Sequence, residues 1–235
     1  MPDQVFYPGG TAAEAAPVER AAFIRNTYLH LAGAILAFAT LEAMLFQTTI
    51  PERMIDLLAA SRYSWLIVLG LFMGASYLAT NWATRGGSQA MQYAGLGLYV
   101  VIQAVIFIPL LVVAANVAGP STIVAAGVVT MLLFAGLTFT AFTAKSDFSW
   151  LGGILRIGGF VALGVIVASI LFGFTLGVLF SGVMVLFAGG AILYETANIL
   201  HRYQTSQHVA AALALFASVA LLFWYVLRIL MGSRR

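Results

Sequence analysis

The sequence predicts an all-α membrane protein, a bundle of seven transmembrane helices, and three observations carry that expectation. Of its 235 residues, 62% are hydrophobic and only 8% are charged, whereas a soluble domain carries about 25% charged residues to keep its surface wet. The mean hydropathy is +1.01. The apolar residues also fall into seven runs, each close to the roughly 20 residues that a helix needs to cross a bilayer.

Taken in order, residues 1–22 hold Asp3, Glu14 and Glu19, with Pro8, Gly9 and Gly10 between them. With no continuous apolar core, the segment is not a cleavable signal peptide, and it reads as a flexible N-terminal tail. Residues 23–235 then form the seven-helix transmembrane domain. Its spans are expected at 25–46, 65–83, 93–115, 122–143, 150–172, 174–200 and 209–231. Only Gly173 and its neighbours separate the fifth span from the sixth, so a tight turn is required there. The loop 47–64 carries Pro51, Glu52, Arg53, Asp56 and Arg62, interleaved with Met54, Ile55, Leu57 and Leu58. That pattern predicts a short amphipathic helix lying at the membrane interface.

Glycines recur inside the spans: Gly70 with Gly74, Gly173 with Gly177, and Gly152, Gly153, Gly158 and Gly159 in the fifth. Small residues at such spacing let helix backbones approach closely, and packing within the bundle is their expected use. Orientation follows from Lys and Arg, which favour the cytoplasmic side. A cytoplasmic N-terminus puts Arg20, Arg25, Arg85, Lys145, Arg156 and Arg202 inside. It leaves Arg53, Arg62, Arg228, Arg234 and Arg235 outside, with the C-terminus.

The net charge of +3 would suggest nucleic acid in a soluble protein. Here the basic residues sit at the ends of apolar runs as helix anchors, so no nucleic-acid partner is expected. The absence of cysteine excludes disulfides, thiolate metal sites and thiol catalysis. His30, His201 and His208 lack the spacing of a zinc motif and read as interfacial anchors at helix ends. No nucleophile elbow, Walker loop or dinucleotide fingerprint occurs. No catalytic residue, cofactor or metal is expected, and GLGLY at 95–99 is a glycine-flecked membrane helix.

The stretch 191–203, AILYETANILHRY, organises what chemistry there is. It puts Glu195 inside a span, just ahead of a polar turn. A carboxylate at the centre of a bilayer helix costs roughly 2.5–3.5 kcal/mol, so it normally faces protein or water. Glu195 either snorkels from a helix end or belongs to a buried polar site with Thr196, Asn198, Asn81, Gln103 and Ser218. Counting back from the turn brings Ser218 to a similar depth, and Arg156, one turn into the fifth span, reaches the same half. A buried carboxyl beside a guanidinium would make a proton-sensitive lock, so Glu195, Ser218 and Arg156 are the candidate ion- or pH-sensing residues. Of the other acids, Glu42 is expected to snorkel to the outer interface, and Asp147 in KSDFSW to serve as a helix-entry residue.

FIRNTYLHLAGAILAF in the first span, TAFTAKSDFSWLGGIL at the fourth-to-fifth junction, GGAILYETANILHRY in the sixth and the final VLRILMG resemble the Bax inhibitor family, the transmembrane Bax inhibitor motif proteins. The resemblance extends from about residue 20 to residue 232. It implies a seven-helix bundle with the seventh helix central and no hydrolytic or transfer chemistry. Members that leak calcium have paired aspartates late in helix six and midway along helix seven, which share a proton and gate the path. Here Glu195 stands at the first position and Ser218 at the second, so a like-charge pair cannot form. This combination resembles the bacterial subset of the family, in the cytoplasmic (inner) membrane, that binds and modulates a membrane-anchored AAA protease through a cytoplasmic N-terminal tail.

Three functions follow as alternatives. The first is an interaction protein that regulates membrane-protein quality control, itself a slowly degraded substrate. The second is a pH-sensitive calcium or cation leak with Glu195 as its titrating group. The third is an unrecognised intramembrane enzyme or transporter. The missing second acid favours the first over the second.

Overall fold

In lipid a backbone must satisfy its own hydrogen bonds, and the apolar runs do so as α-helices. A computed structural model describes residues 11–61, 63–85, 88–144 and 148–232. Its helices are α1 (Pro17–Leu45), α2 (Ile50–Ala60), α3 (Ser64–Arg85), α4 (Gln89–Val117), α5 (Pro120–Thr143), α6 (Leu151–Phe172), α7 (Val178–His201) and α8 (His208–Gly232). Among the described residues, seven of them, all but α2, are long and apolar enough to cross a membrane. Arg62, Lys145 and Asp147 lie outside the described residues, and with them the helix-entry role expected of Asp147.

Most of the helices outrun the apolar runs, because hydropathy marks the lipid-facing part of a helix and not its ends. The difference is greatest at α1, which starts at Pro17, well ahead of residue 25. Proline at the first position is pre-set for helix and gives up no needed amide, and Glu19 in the first turn complements the helix dipole. The amphipathic helix expected in 47–64 is α2. Its Glu52, Arg53 and Asp56 are exposed while Pro51 and Leu58 are buried, and it packs on α3 and α4.

The turn between the fifth and sixth spans is tight at its start only. Gly173 closes α6 in the left-handed conformation at φ +76°, open without strain to glycine. Residues 174–177 then run outside helix, so α7 begins at Val178. Gly173 and Gly177 therefore flank a loop and do not pack helices. Among the described residues, Gly70 and Gly74 meet nothing within 4 Å either, which corrects the expectation that these pairs pack the bundle. The close approaches lie elsewhere. A Cβ on Gly95 of α4 would stand 2.5 Å from the Ala79 carbonyl oxygen of α3, and one on Gly152 would stand 2.8 Å from the Tyr194 ring.

The seventh span is central, as expected. α8 is buried along most of its length and packs on α7, α1, α5, α4 and α3. Its seam with α1 and α4 is aromatic. Phe107 meets Trp224 edge-on at 4.9 Å, Phe38 edge-on at 5.2 Å and Phe223 stacked at 5.6 Å. One turn beyond Phe38 on α1, Glu42 is only 6% exposed, and among the described residues neither carboxyl oxygen has a hydrogen-bond partner. That burial means that Glu42 does not snorkel.

Candidate site at the α7–α8 turn

Glu195 stands on the last two turns of α7, a helix that packs against α8. It is half-buried. Asn198, one turn on, donates its side-chain amide to Glu195 Oε2 at 3.4 Å, and the Tyr203 hydroxyl is the second side-chain partner. Tyr203 reaches back because the chain reverses there: the amides of Arg202 and Tyr203 both donate to the Asn198 carbonyl, at 2.7 and 3.0 Å. Gln204 and Gln207 then close a reciprocal capping box that starts the next helix. Burial first, and then the adjacent Glu195 carboxylate, push the Tyr203 hydroxyl pKa above the ordinary tyrosine value.

Among the described residues, neither of the other two candidates is a hydrogen-bond partner of that carboxylate. Ser218 is buried on α8, but its hydroxyl donates to the Ala214 carbonyl of its own helix at 3.1 Å. Glu195 is six residues from the end of α7 and Ser218 ten from the start of α8, which offsets them by about 6 Å along the bundle at a 1.5 Å rise. Arg156 is exposed on α6. The groups that meet Glu195 are thus Asn198, which the sequence pointed to, and Tyr203, which it did not. Tyr203 falls outside the span and reaches Glu195 only through the reversal.

A second polar group lies beside the first. Tyr28 of α1 turns its hydroxyl towards Thr196 of α7 and Thr138 of α5, yet among the described residues none of the three hydroxyls makes a hydrogen bond of ordinary length, and Asn198 Oδ1 is likewise unpaired. Three helices therefore converge on a patch of unsatisfied oxygens adjoining Glu195. Buried groups of this kind normally carry ordered water.

The N-terminal segment docks on the same turn. The Ala12 amide donates to the Tyr203 carbonyl at 2.8 Å, Thr11 forms an antiparallel bridge with Gln204, and Ala12 is fully buried. Arg20, at the start of α1, donates to the Leu200 carbonyl at 3.3 Å, which places a cation on the C-terminus of α7. The 1–22 segment read as a tail thus includes residues that this fold takes up, while residues 1–10 lie outside the described residues. The unassigned signal was Pro17, a helix start that leaves only a short lead between the tail and the bundle.

His30, placed inside α1 by the early helix start, accepts or donates at 3.0 Å with the Tyr93 hydroxyl, and its ring lies 4.9 Å from that of His208. Among the described residues, no three His, Cys, Asp or Glu side chains gather as a metal site would need.

Fold and site together define a polytopic α-helical membrane protein in which the Glu195 carboxylate is held by its own helix and the following turn. The chain belongs to the Bax inhibitor family: the family described as inhibitor of apoptosis-promoting Bax1 matches residues 20–235. It is 29% identical to Bax inhibitor 1 of Schizosaccharomyces pombe over 93% of this chain and 79% of that protein. It is 36% identical to the modulator of FtsH protease YccA of Escherichia coli over 43% of this chain and 46% of YccA. It is 35% identical to the uncharacterized protein PA2604 of Pseudomonas aeruginosa over 47% of this chain and 50% of that one. The match thus spans about half the length of the last two.

Proposed function

We propose that this chain is an integral membrane interaction protein that modulates membrane-protein quality control by a membrane-anchored AAA protease, which takes hold of its N-terminal segment. The observation that carries this reading is the docking of Thr11 and Ala12 on the turn that holds Glu195. A protease that pulls from the N-terminus must first strip Ala12 from Tyr203 and Arg20 from Leu200. It must then draw out α1, whose buried face packs on α4 and α8. Each step resists extraction, so the chain occupies the protease and yields slowly. The likeness to YccA supports the reading. The distribution of Lys and Arg supports a cytoplasmic N-terminus in the inner membrane.

The test is the lifetime of the chain in cells with and without that protease. Removing residues 1–10, which leaves Thr11 and Ala12 in place, lengthens the half-life only where the protease is present. An unchanged half-life for a variant that melts like the full chain overturns the proposal.

A second reading, a pH-sensitive calcium or cation leak titrated at Glu195, draws on the unpaired oxygens of Tyr28, Thr196 and Asn198 around that carboxylate. Flux through purified protein in liposomes over a pH series separates the two.

A further inference from the structure

At the end of the bundle that carries α2, an open cavity of about 840 Å³ is enclosed by α2, α3, α4, α6, the α6–α7 loop, the start of α7 and α8. Its walls are apolar, formed by side chains such as Phe72, Leu110, Ile170 and Trp224. Among the described residues, Arg228 is the one charged side chain that lines it. The walls from α3 and α6 belong to the two least buried spans, and these pack chiefly on α4 and α7 rather than on each other. The cleft between them therefore faces lipid.

We propose that this cavity binds one anionic phospholipid, with an acyl chain between α3 and α6 and the phosphate on Arg228. Three observations converge on that occupant. The Arg228 guanidinium donates to the Leu176 carbonyl at 2.9 Å, which fixes the side chain at the cavity rim. That leaves further N–H donors of a planar fork suited to phosphate oxygens. No carboxylate lines the cavity among the described residues, so an anionic ligand meets no repulsion.

The depth also fits. Phe107 packs against Phe223 and Trp224, so Gln103, one turn below Phe107 on the parallel helix α4, lies near the level of residue 220. From there to Arg228 is about 12 Å at 1.5 Å per residue, close to the roughly 15 Å of one leaflet's hydrocarbon. Gln103 is 6% exposed with its side-chain oxygen unpaired among the described residues, and it ends the apolar path with a polar floor. A long apolar slot with a cation at the interface and a polar stop one leaflet down is the complement of a phospholipid. It is not shaped for a soluble anion.

The experiment is native mass spectrometry of the full chain in non-ionic detergent with equimolar phosphatidylglycerol and phosphatidylcholine of identical chains. One phosphatidylglycerol is retained in preference by about fivefold, the scale of one basic residue acting on an anionic headgroup. Arg228→Gln brings the preference to about one, Arg228→Lys keeps most of it, and Arg53→Gln on α2 leaves it unchanged. Equal retention by the wild type, or a preference that survives Arg228→Gln, overturns the proposal. A measurement on the unaltered chain stands independently of variant folding. Trp224 and Trp65 line the cavity, so phosphatidylglycerol with brominated chains quenches tryptophan fluorescence more than brominated phosphatidylcholine at the same mole fraction. Equal quenching also overturns it.

Discussion

Ala12 donates its amide to the carbonyl of Tyr203 across 2.8 Å, and by that contact the N-terminal segment is fastened to the turn whose side chain holds Glu195. Two segments that are almost two hundred residues apart in the chain thus share one short piece of backbone pairing. The fully buried methyl of Ala12 leaves no room for a polar substituent. Ala12→Asp buries a carboxylate against the Tyr203 carbonyl, at a cost of about 1–3 kcal/mol. The thermal midpoint in detergent falls, and the α7–α8 turn becomes open to limited proteolysis. A midpoint equal to that of the wild type means the pairing contributes nothing to stability.

The α3–α4 contact gives a cleaner steric test. At Gly95 a methyl group would lie 2.5 Å from the Ala79 oxygen and 2.7 Å from the Ala83 nitrogen, both main-chain atoms that cannot swing aside. Gly95→Ala forces the two helices apart and destabilises the bundle by about 1–3 kcal/mol. Gly70→Ala and Gly74→Ala, which meet open space, leave the midpoint where it was. The three variants share one chemistry, so unfolding curves of all three measure packing and not helix propensity.

These glycines also show where sequence stops being informative. Spacing reveals that Gly70 and Gly74 share a helix face but not which way that face points, so a motif of packing glycines was legible and its use was not. The seven spans were legible because a bilayer sets their length and composition, and the short helix α2 because its charges alternate with Met54, Ile55 and Leu58. Glu195 and Asn198 were legible as a pair because they are three apart on one helix. Tyr203, the Tyr28–Thr138–Thr196 group and the burial of Glu42 were not, since each depends on contacts between segments distant in the chain. The start of α1 at Pro17 was written in the sequence but masked by the charges around it, which mark the end of a span and not of a helix.

Tyr203 sets a pH dependence with a definite sign. Burial and the Glu195 carboxylate raise its pKa in the folded protein, so above about pH 10 the unfolded chain releases this proton before the folded one does. The folded state then holds more protons, and stability is lost as pH rises from about 10 upwards. Tyr203→Phe reduces the steepness of that loss, measured by chemical denaturation between pH 9 and 11. At neutral pH it costs about 1 kcal/mol for the missing hydrogen bond to Glu195. A variant whose alkaline limb matches the wild type shows that Tyr203 ionises as freely folded as unfolded.

The leak reading stands or falls at Glu195 and Ser218. Glu195→Gln keeps the shape of the side chain and an oxygen for Asn198 to donate to, and removes the titration. If Glu195 gates an ion path, the pH dependence of flux through liposomes between about pH 5 and 8 disappears in this variant while its melting point stays near that of the wild type. Ser218→Asp acts in the opposite direction. Ser218 is buried one turn deeper than Glu195, with its hydroxyl spent on the Ala214 carbonyl, so the new acid has no partner in its own helix and faces the interior. Two carboxyls within about two turns titrate as a coupled pair, and flux becomes steeply pH-dependent. Calcium and proton flux of the wild type and both variants, at several pH values, decides between the readings. A silent wild type with a leaky Ser218→Asp identifies a bundle that has kept the scaffold of a path without its gate, as an interaction protein would. Strong pH-gated flux in the wild type that survives Glu195→Gln removes Glu195 from the path altogether and returns it to the structural role of holding the α7–α8 turn through Tyr203.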